Sequence, residues 1–257
     1  MSVFNGLESM GINNMNLDIY KKEEKKKVNK DEGKQKIMSS LYDKELVCPV
    51  CNRKTKLKFV KSSVIRLEKK DSDFMTYYRG INPMFYEVLF CNECGYANLG
   101  DNFNKISERS IESIYKNISL VWKKTNFPEE YDIDIAIQLH KLALLNAVVK
   151  EDKSSVKALI CLKLSWLYRL SGDNENEKRF QEQTLQGFLD AYNDESFPIA
   201  GLDQFSLPYL IGELYRRLGE EDKALRYFSD VIISRAPERI KEMARGQKDL
   251  IKERYKS

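Results

Sequence analysis

Cys48-Pro49-Val50-Cys51 and Cys91-Asn92-Glu93-Cys94 are two C-x-x-C pairs with 39 residues between them. Each pair offers two thiolates from one tight turn, and two such turns brought together supply four ligands in tetrahedral geometry. Backbone amides within the turns support the sulfurs. The spacing points to zinc-ribbon chemistry, with Cys48, Cys51, Cys91 and Cys94 as ligands of a structural Zn2+. Structural sites are four-coordinate and closed, whereas catalytic zinc keeps a position open. Asn52 and Gly95, which follow the two pairs, are residue types that accept the left-handed backbone such turns demand. An iron–sulfur cluster or a redox dithiol is the competing reading. A thioredoxin-like motif places one C-x-x-C at the start of a helix; here there are two, and Cys51 runs into the turn-like Asn52-Arg53-Lys54.

The spacer exceeds the roughly 15–20 residues of a typical zinc finger, which calls for a β-hairpin or small sheet between the knuckles. The candidates are LKFVKSSVIRL (57–67), DFMTYYR (73–79) and FYEVLF (85–90), β-branched or aromatic runs broken by Asp71, Gly80, Asn82 and Pro83. Arg53, Lys54, Lys56, Lys58, Lys61, Arg66, Lys69 and Lys70 stand in this region against one nearby acid, Glu68, with aromatic residues among them. Basic strands of this kind grip a phosphate backbone and stack bases, which makes Lys56, Lys58 and Lys61 candidate nucleic-acid contacts. The alternation of Lys56 and Lys58 with Leu57 and Phe59 describes a half-buried strand equally well, and a solvated outer face is the favoured reading.

Beyond Ser107, a candidate N-cap, the period lengthens: Ile111, Ile114, Ile118, Val121 and Trp122 fall on one helical face. Tyr131 to Val149 is apolar on more than one face, as in a helix packed between neighbours. Further helices are expected from Ser154 to a cap at Gly172, from Asp173 to about Tyr192, from Ser206 to Gly219, over Glu221–Arg235 and over Glu238–Tyr255. LYRLSGD (167–173) reappears as LYRRLGE (214–220) at an offset of 47 residues, the mark of stacked helical hairpins. Lys178 lies near the position where a small residue is expected, so the first copy departs from the tetratricopeptide pattern that the second follows. The expected fold class is α+β: a small β-rich zinc-ribbon-like module at 41–104, a connecting helix at 105–130 and an all-α tetratricopeptide-like array at 131–257. Residues 1–40, with eight lysines and four acids between Lys21 and Lys36, read as a disordered tail.

The chemistry outside the cysteines is sparse. The 257 residues contain one histidine, His140, which removes most histidine-based triads and two-histidine metal sites. His140, Trp122, Trp166 and Cys161 sit at core positions of helical segments. No phosphate-binding loop, dinucleotide fingerprint, nucleophile elbow or H-E-x-x-H is present. The paired acids Asp71 and Asp73, or Asp132 and Asp134, suit turns and helix starts as well as acid–base work, so no catalytic residue is assigned. There is no apolar run of the roughly 20 residues that span a bilayer and no signal-peptide pattern, so the expectation is a cytoplasmic protein that does not engage a membrane.

LYDKELVCPVC (41–51), the DSDF-x3-YRG-x-NP-x-FYEV block from Asp71 to Val88, FCNECGYA (90–97) and YLIGELYRRLG (209–219) occur together here. In this combination the chain resembles the bacterial family catalogued as domain of unknown function 2225 from about Leu41 to Tyr255. The resemblance implies an N-terminal cysteine-pair module joined to tetratricopeptide-like helices, the same four cysteines as metal ligands, and no known catalytic activity. The expected function is a non-enzymatic, zinc-stabilised scaffold or adaptor that binds a protein or peptide in its helical groove. Lys163, Arg169, Arg216 and Arg217 are the candidate groove residues and would favour an acidic partner. Nucleic-acid binding through the basic ribbon is the alternative.

Overall fold

The computed structural model describes residues 40–254, so the tail expected at 1–40 lies, apart from Ser40, outside the described residues. Six strands form three separate antiparallel pairs among these residues. β1 (Leu41–Val47) pairs with β2 (Lys54–Val60), β3 (Leu67–Lys70) with β4 (Thr76–Tyr78), and β5 (Val88–Phe90) with β6 (Ala97–Leu99). Val47 stands opposite Lys54 and Phe90 opposite Ala97, so each cysteine pair forms the turn of a hairpin. The runs expected as strands between the knuckles are strands only in part: 57–67 is broken by a 3-10 turn at Ser62–Val64, 85–90 begins in one at Pro83–Tyr86, and β3–β4 is a hairpin that joins neither of the other pairs. All residues of β5 and β6 are buried, the polar Asn98 included, whose side chain donates to Asn102 O.

Seven α-helices follow among the described residues. α1 (Glu108–Ile114) is capped by Ser107, whose hydroxyl accepts from the Ser110 amide. It continues as a π turn over Tyr115–Ser119 and ends there, short of the helix expected at 105–130. The wider turn moves the apolar face by about one residue. Ile114 and Ile118 are buried, Val121 is thereby rolled out to solvent, and Trp122 leaves the helix to pack elsewhere.

α2 (Ile133–Val149) starts at Asp132, whose carboxylate accepts from the Ile135 amide, so this acid of the Asp132/Asp134 pair is a cap. α3 (Ser154–Ser171) ends at Gly172 in the left-handed conformation, φ 77°, and α4 (Asn174–Asp194) starts on the Asp173 cap. α5 (Ser206–Arg217), α6 (Glu221–Ile233) and α7 (Glu238–Arg254) complete the array. Between the two copies lie α4, 21 residues long against 13 in the corresponding α6, and the connection at 195–205, and together these account for the long repeat offset. No helix among the described residues is long and apolar enough to cross a membrane.

Two apolar cores hold these elements. One runs from Cys48 and Leu57 through Tyr96 and Phe103 into Leu139, Leu142 and Ile160, without a break between the strand-rich part and the helices. The other joins Ala158 and Phe188 to Tyr209, Phe228 and Ile251. The β-rich module is thus completed by α2, whose two-sided apolar character comes from packing on strands as well as on α3.

Candidate metal centre

The two knuckles share one backbone pattern. The amide of Cys48 donates to the Arg53 carbonyl at 2.9 Å, as that of Cys91 does to Tyr96 at 2.7 Å. Asn52 N donates to Cys48 O at 2.9 Å, and Gly95 N to Cys91 O at 2.8 Å. Closing the turns in this way requires positive φ at Asn52 (56°) and Gly95 (75°), the two residues whose types accept it.

The turns bring Cys48, Cys51, Cys91 and Cys94 together with their sulfurs all within 4.8 Å of one another. The Sγ atoms of Cys48 and Cys94 are 3.7 Å apart and those of Cys51 and Cys91 are 3.6 Å apart. A disulfide would need about 2.05 Å, and all four thiols are free. Four thiolates about 2.3 Å from a tetrahedral ion lie about 3.8 Å from each other, so the donor set fits such an ion. Hydrogen bonds from Cys91 and then Cys94 hold the Cys48 thiol far below its ordinary range, at about 4. The neighbouring Cys48 sulfur in turn pushes Cys91 and Cys94 upward. Four sulfurs this close cannot all ionise unaided, and a bound cation removes the conflict. With Cys48, Cys91 and Cys94 buried and Cys51 half-buried, the cluster is closed on most sides.

The second knuckle is fixed from outside by residues that the cysteine spacing does not reveal. Trp122 Nε1 donates to Asn92 O at 2.8 Å, Ser119 Oγ to Cys94 O at 2.9 Å and Asn146 Nδ2 to Gly95 O at 3.1 Å. The Asn92 side chain closes a two-bond ring with the Thr125 backbone, accepting at 3.0 Å and donating at 2.9 Å. Trp122, expected at helical core spacing, does pack against the first core, but from outside any helix, with its indole bonded to the second cysteine knuckle. A signal was present in sequence: Asn92 inside the C-x-x-C can bond in both directions.

The candidate nucleic-acid contacts sit elsewhere. On β2, Lys56 pairs with Asp43 at 2.8 Å, and Lys58, only 16% exposed, pairs with Asp43 and Glu129. Lys54 pairs with Glu45 at 2.8 Å. The basic row is a row of cross-strand ion pairs, answered by β1 acids that precede the first knuckle. Lys61 follows the end of β2, where its amide donates to Ser40 O.

The candidate groove residues are also engaged within the chain. Lys163 pairs with Glu87 at 2.7 Å, and the other Glu87 oxygen meets Nε2 of the fully buried His140 at 3.0 Å. Arg169 grips Asp73 at 2.6 Å, Asp71 at 3.0 Å and Glu177 at 2.7 Å. Arg216 and Arg217 both bond Glu213 at 2.7 Å, and Glu213 is fully buried. Each of these cations has an acid within the chain. For Lys163, Arg169 and Arg217 these include Glu87, Asp71 and Asp73 from the β-rich part, about a hundred residues away for Arg169, whereas Arg216 is answered by Glu213 on its own helix.

Two cysteine knuckles whose four sulfurs could hold a metal ion, joined to an array of helical hairpins, define an α+β protein with a candidate metal centre. The sequence model of the family described as an uncharacterised protein conserved in bacteria (DUF2225) matches residues 41–251, and the chain belongs to that family. No curated protein and no solved structure matches.

Proposed function

We propose that the four thiolates hold a structural Zn2+ and that the chain is a non-enzymatic cytoplasmic scaffold or adaptor, which binds a protein or peptide partner on the inner face of its helical array. One observation carries this reading. Positions 47 residues apart, Trp166 with Glu213 and Arg169 with Arg216, lie on the first helices of the two hairpins, and three of these four side chains bond a single non-helical segment, Asp71–Met75. Equivalent faces of successive hairpins are where helical arrays bind extended segments. The closed thiolate cluster supports a stapling role for the metal, since four protein ligands leave no position for a substrate.

The test is purification of the native chain and of Arg169→Ala, with metal analysis and mass spectrometry of captured proteins. The expected result is one zinc per chain in both and a set of partners that Arg169→Ala loses while keeping its circular dichroism. Stoichiometric nucleic acid or metabolite in the native preparation, or the same partners in the same amounts from a folded Arg169→Ala chain, would overturn the reading.

A further inference from the structure

The β3–β4 hairpin pairs with no other strand among the described residues, and all four residues of β3 are exposed. Its tip is the opposite: Asp73 and Met75 have no exposed surface. A stem with one strand exposed and the other half-buried, ending in a buried tip, is an arm reaching into something, and what receives it is the helical array.

The grip is specific. Arg169 forks onto Asp73 through two nitrogens, at 2.6 and 3.2 Å, and Trp166 Nε1 donates to the same carboxylate at 3.1 Å. Arg169 also donates to the Met75 sulfur at 3.4 Å. From α5, Tyr209 OH donates to Ser72 O at 2.9 Å, and Arg217 donates to Ser72 Oγ at 3.2 Å. Ser72 Oγ in turn donates to Glu213 at 2.6 Å. The Phe74 ring lies against Tyr209 with centroids 5.5 Å apart. Every feature of the tip is matched (Arg169 and Trp166 on the carboxylate, the Tyr209 hydroxyl on the carbonyl and the Tyr209 ring on the aromatic), which is how a protein holds a peptide.

The arm also carries the marks of a part that can leave. Its turn is closed by its own backbone: Phe74 N donates to Asp71 O at 3.0 Å and Asp71 N to Met75 O at 2.8 Å, with Phe74 in the left-handed region at φ 70°, so the tip's shape does not depend on the helices that receive it. Gly80, just past the end of β4, has φ 83° and open space around it, which suits a pivot. Leu67, on the stem, is 65% exposed and so does not anchor the arm by burial.

We propose that Asp71–Met75 is an internal ligand that fills the array's binding face in cis, and that the array's partner presents a turn of the same chemistry, an aspartate followed by an aromatic residue, which takes the arm tip's place. This rests on the reading of the array as a partner-binding scaffold and adds what the partner looks like and what it must displace.

The experiment uses the full zinc-loaded chain and a backbone-cyclised, fluorescently labelled peptide of residues 67–78 as probe, read by anisotropy. Asp73→Asn loosens the arm while leaving the receiving helices unchanged, and is expected to bind the probe at least tenfold more tightly than the native chain does. Adding Arg169→Ala should abolish that gain. Phe74→Ala, which keeps every charge, supplies the same comparison should Asp73→Asn fail to fold. A folded, loosened chain that binds the probe no better than the native one, or binding that survives Arg169→Ala, overturns the proposal. Either failure leaves capture of partners by the native chain unaffected, so it is distinguishable from failure of the scaffold reading.

Discussion

A Cβ placed on Gly95 would stand 2.6 Å from the indole of Trp122, closer than real carbon atoms approach. The glycine beside the fourth cysteine therefore does two things: it takes the φ of 75° that closes the knuckle, and it lets a tryptophan lie flat on the turn. Only the first was implied by the C-x-x-C-G pattern.

Gly95→Ala is expected to destabilise the chain by about 2–4 kcal/mol, combining the left-handed penalty with overpacking. Urea denaturation measures it. In a Trp122→Ala background the same substitution should cost only the backbone part, about 1–2 kcal/mol. Equal costs in both backgrounds would mean that the indole contact contributes nothing.

Cys48→Ser and Cys94→Ser should each lose the metal, one from each knuckle, because a four-thiolate site does not survive as three. Loss of zinc should be accompanied by local unfolding around β5, β6 and Trp122, seen as a change in tryptophan fluorescence, with α5, α6 and α7 remaining protected in hydrogen exchange. Full zinc retention in both variants, or an iron–sulfur absorption band in the native protein, contradicts the assignment.

Acid sensitivity follows from two carboxylates. Burial works to raise Asp73, but Arg169 and Arg217 outweigh it and hold the group below its ordinary 3.8. Burial likewise raises Glu87, while Lys163 and His140 bring it below 4.5. A depressed folded value stabilises the folded state above the unfolded pKa, and that stability disappears as pH falls through the folded pKa. Native stability should therefore drop below about pH 4, and Asp73→Asn or Glu87→Gln should be less stable at neutral pH, with a shallower acid limb. Asp73→Asn should cost about 3 kcal/mol at pH 7, since it removes one partner of a buried pair. Urea midpoints recorded from neutral to acid pH check both statements.

Three helical glycines give opposite signs. At Gly187 a methyl group would meet the Ala158 Cβ at 2.9 Å, and at Gly212 it would meet Phe228 and Tyr227 at 3.0 Å, whereas Gly246 has nothing within 4 Å. Alanine gains about 1 kcal/mol of helix propensity at each position. Overpacking of about 1–3 kcal/mol reverses that gain at Gly187 and Gly212. Gly246→Ala should raise the melting temperature and the other two should lower it, in the same thermal scan.

The helix boundaries were legible because local chemistry sets them: Ser107, Asp132 and Asp173 cap, and Gly172 terminates, all within a few residues of what they act on. The four cysteines were legible for the same reason, since each turn encodes its own closure. The ion pairs were not. Arg169 and Asp73 are 96 residues apart, and no periodicity links a turn acid to a helix cation at that distance. The pairing of the basic ribbon was not legible either, because the acids that answer Lys54, Lys56 and Lys58 on β1, Asp43 and Glu45, lie on the other side of the first knuckle. The departure of the first repeat from the tetratricopeptide pattern also has a physical cause. Its helices make a close approach at Gly187 and Ala158, well along α4 from Lys178, where the small residue was sought.

The core that runs unbroken from the knuckles into α2 and α3 has a consequence for how the chain is made. Synthesis proceeds from the N-terminus, so both cysteine pairs emerge before Leu139, Leu142 and Ile160, against which their hairpins pack. Tyr96 and Phe103 must wait for those helices before they can be buried, and Asp73 must wait longer still, for Arg217. Contacts of such sequence separation form slowly, because a long loop has to close before they are rewarded. An early-bound metal ion would hold the two knuckles in register during that interval, so the described elements that are translated earliest are finished among the last.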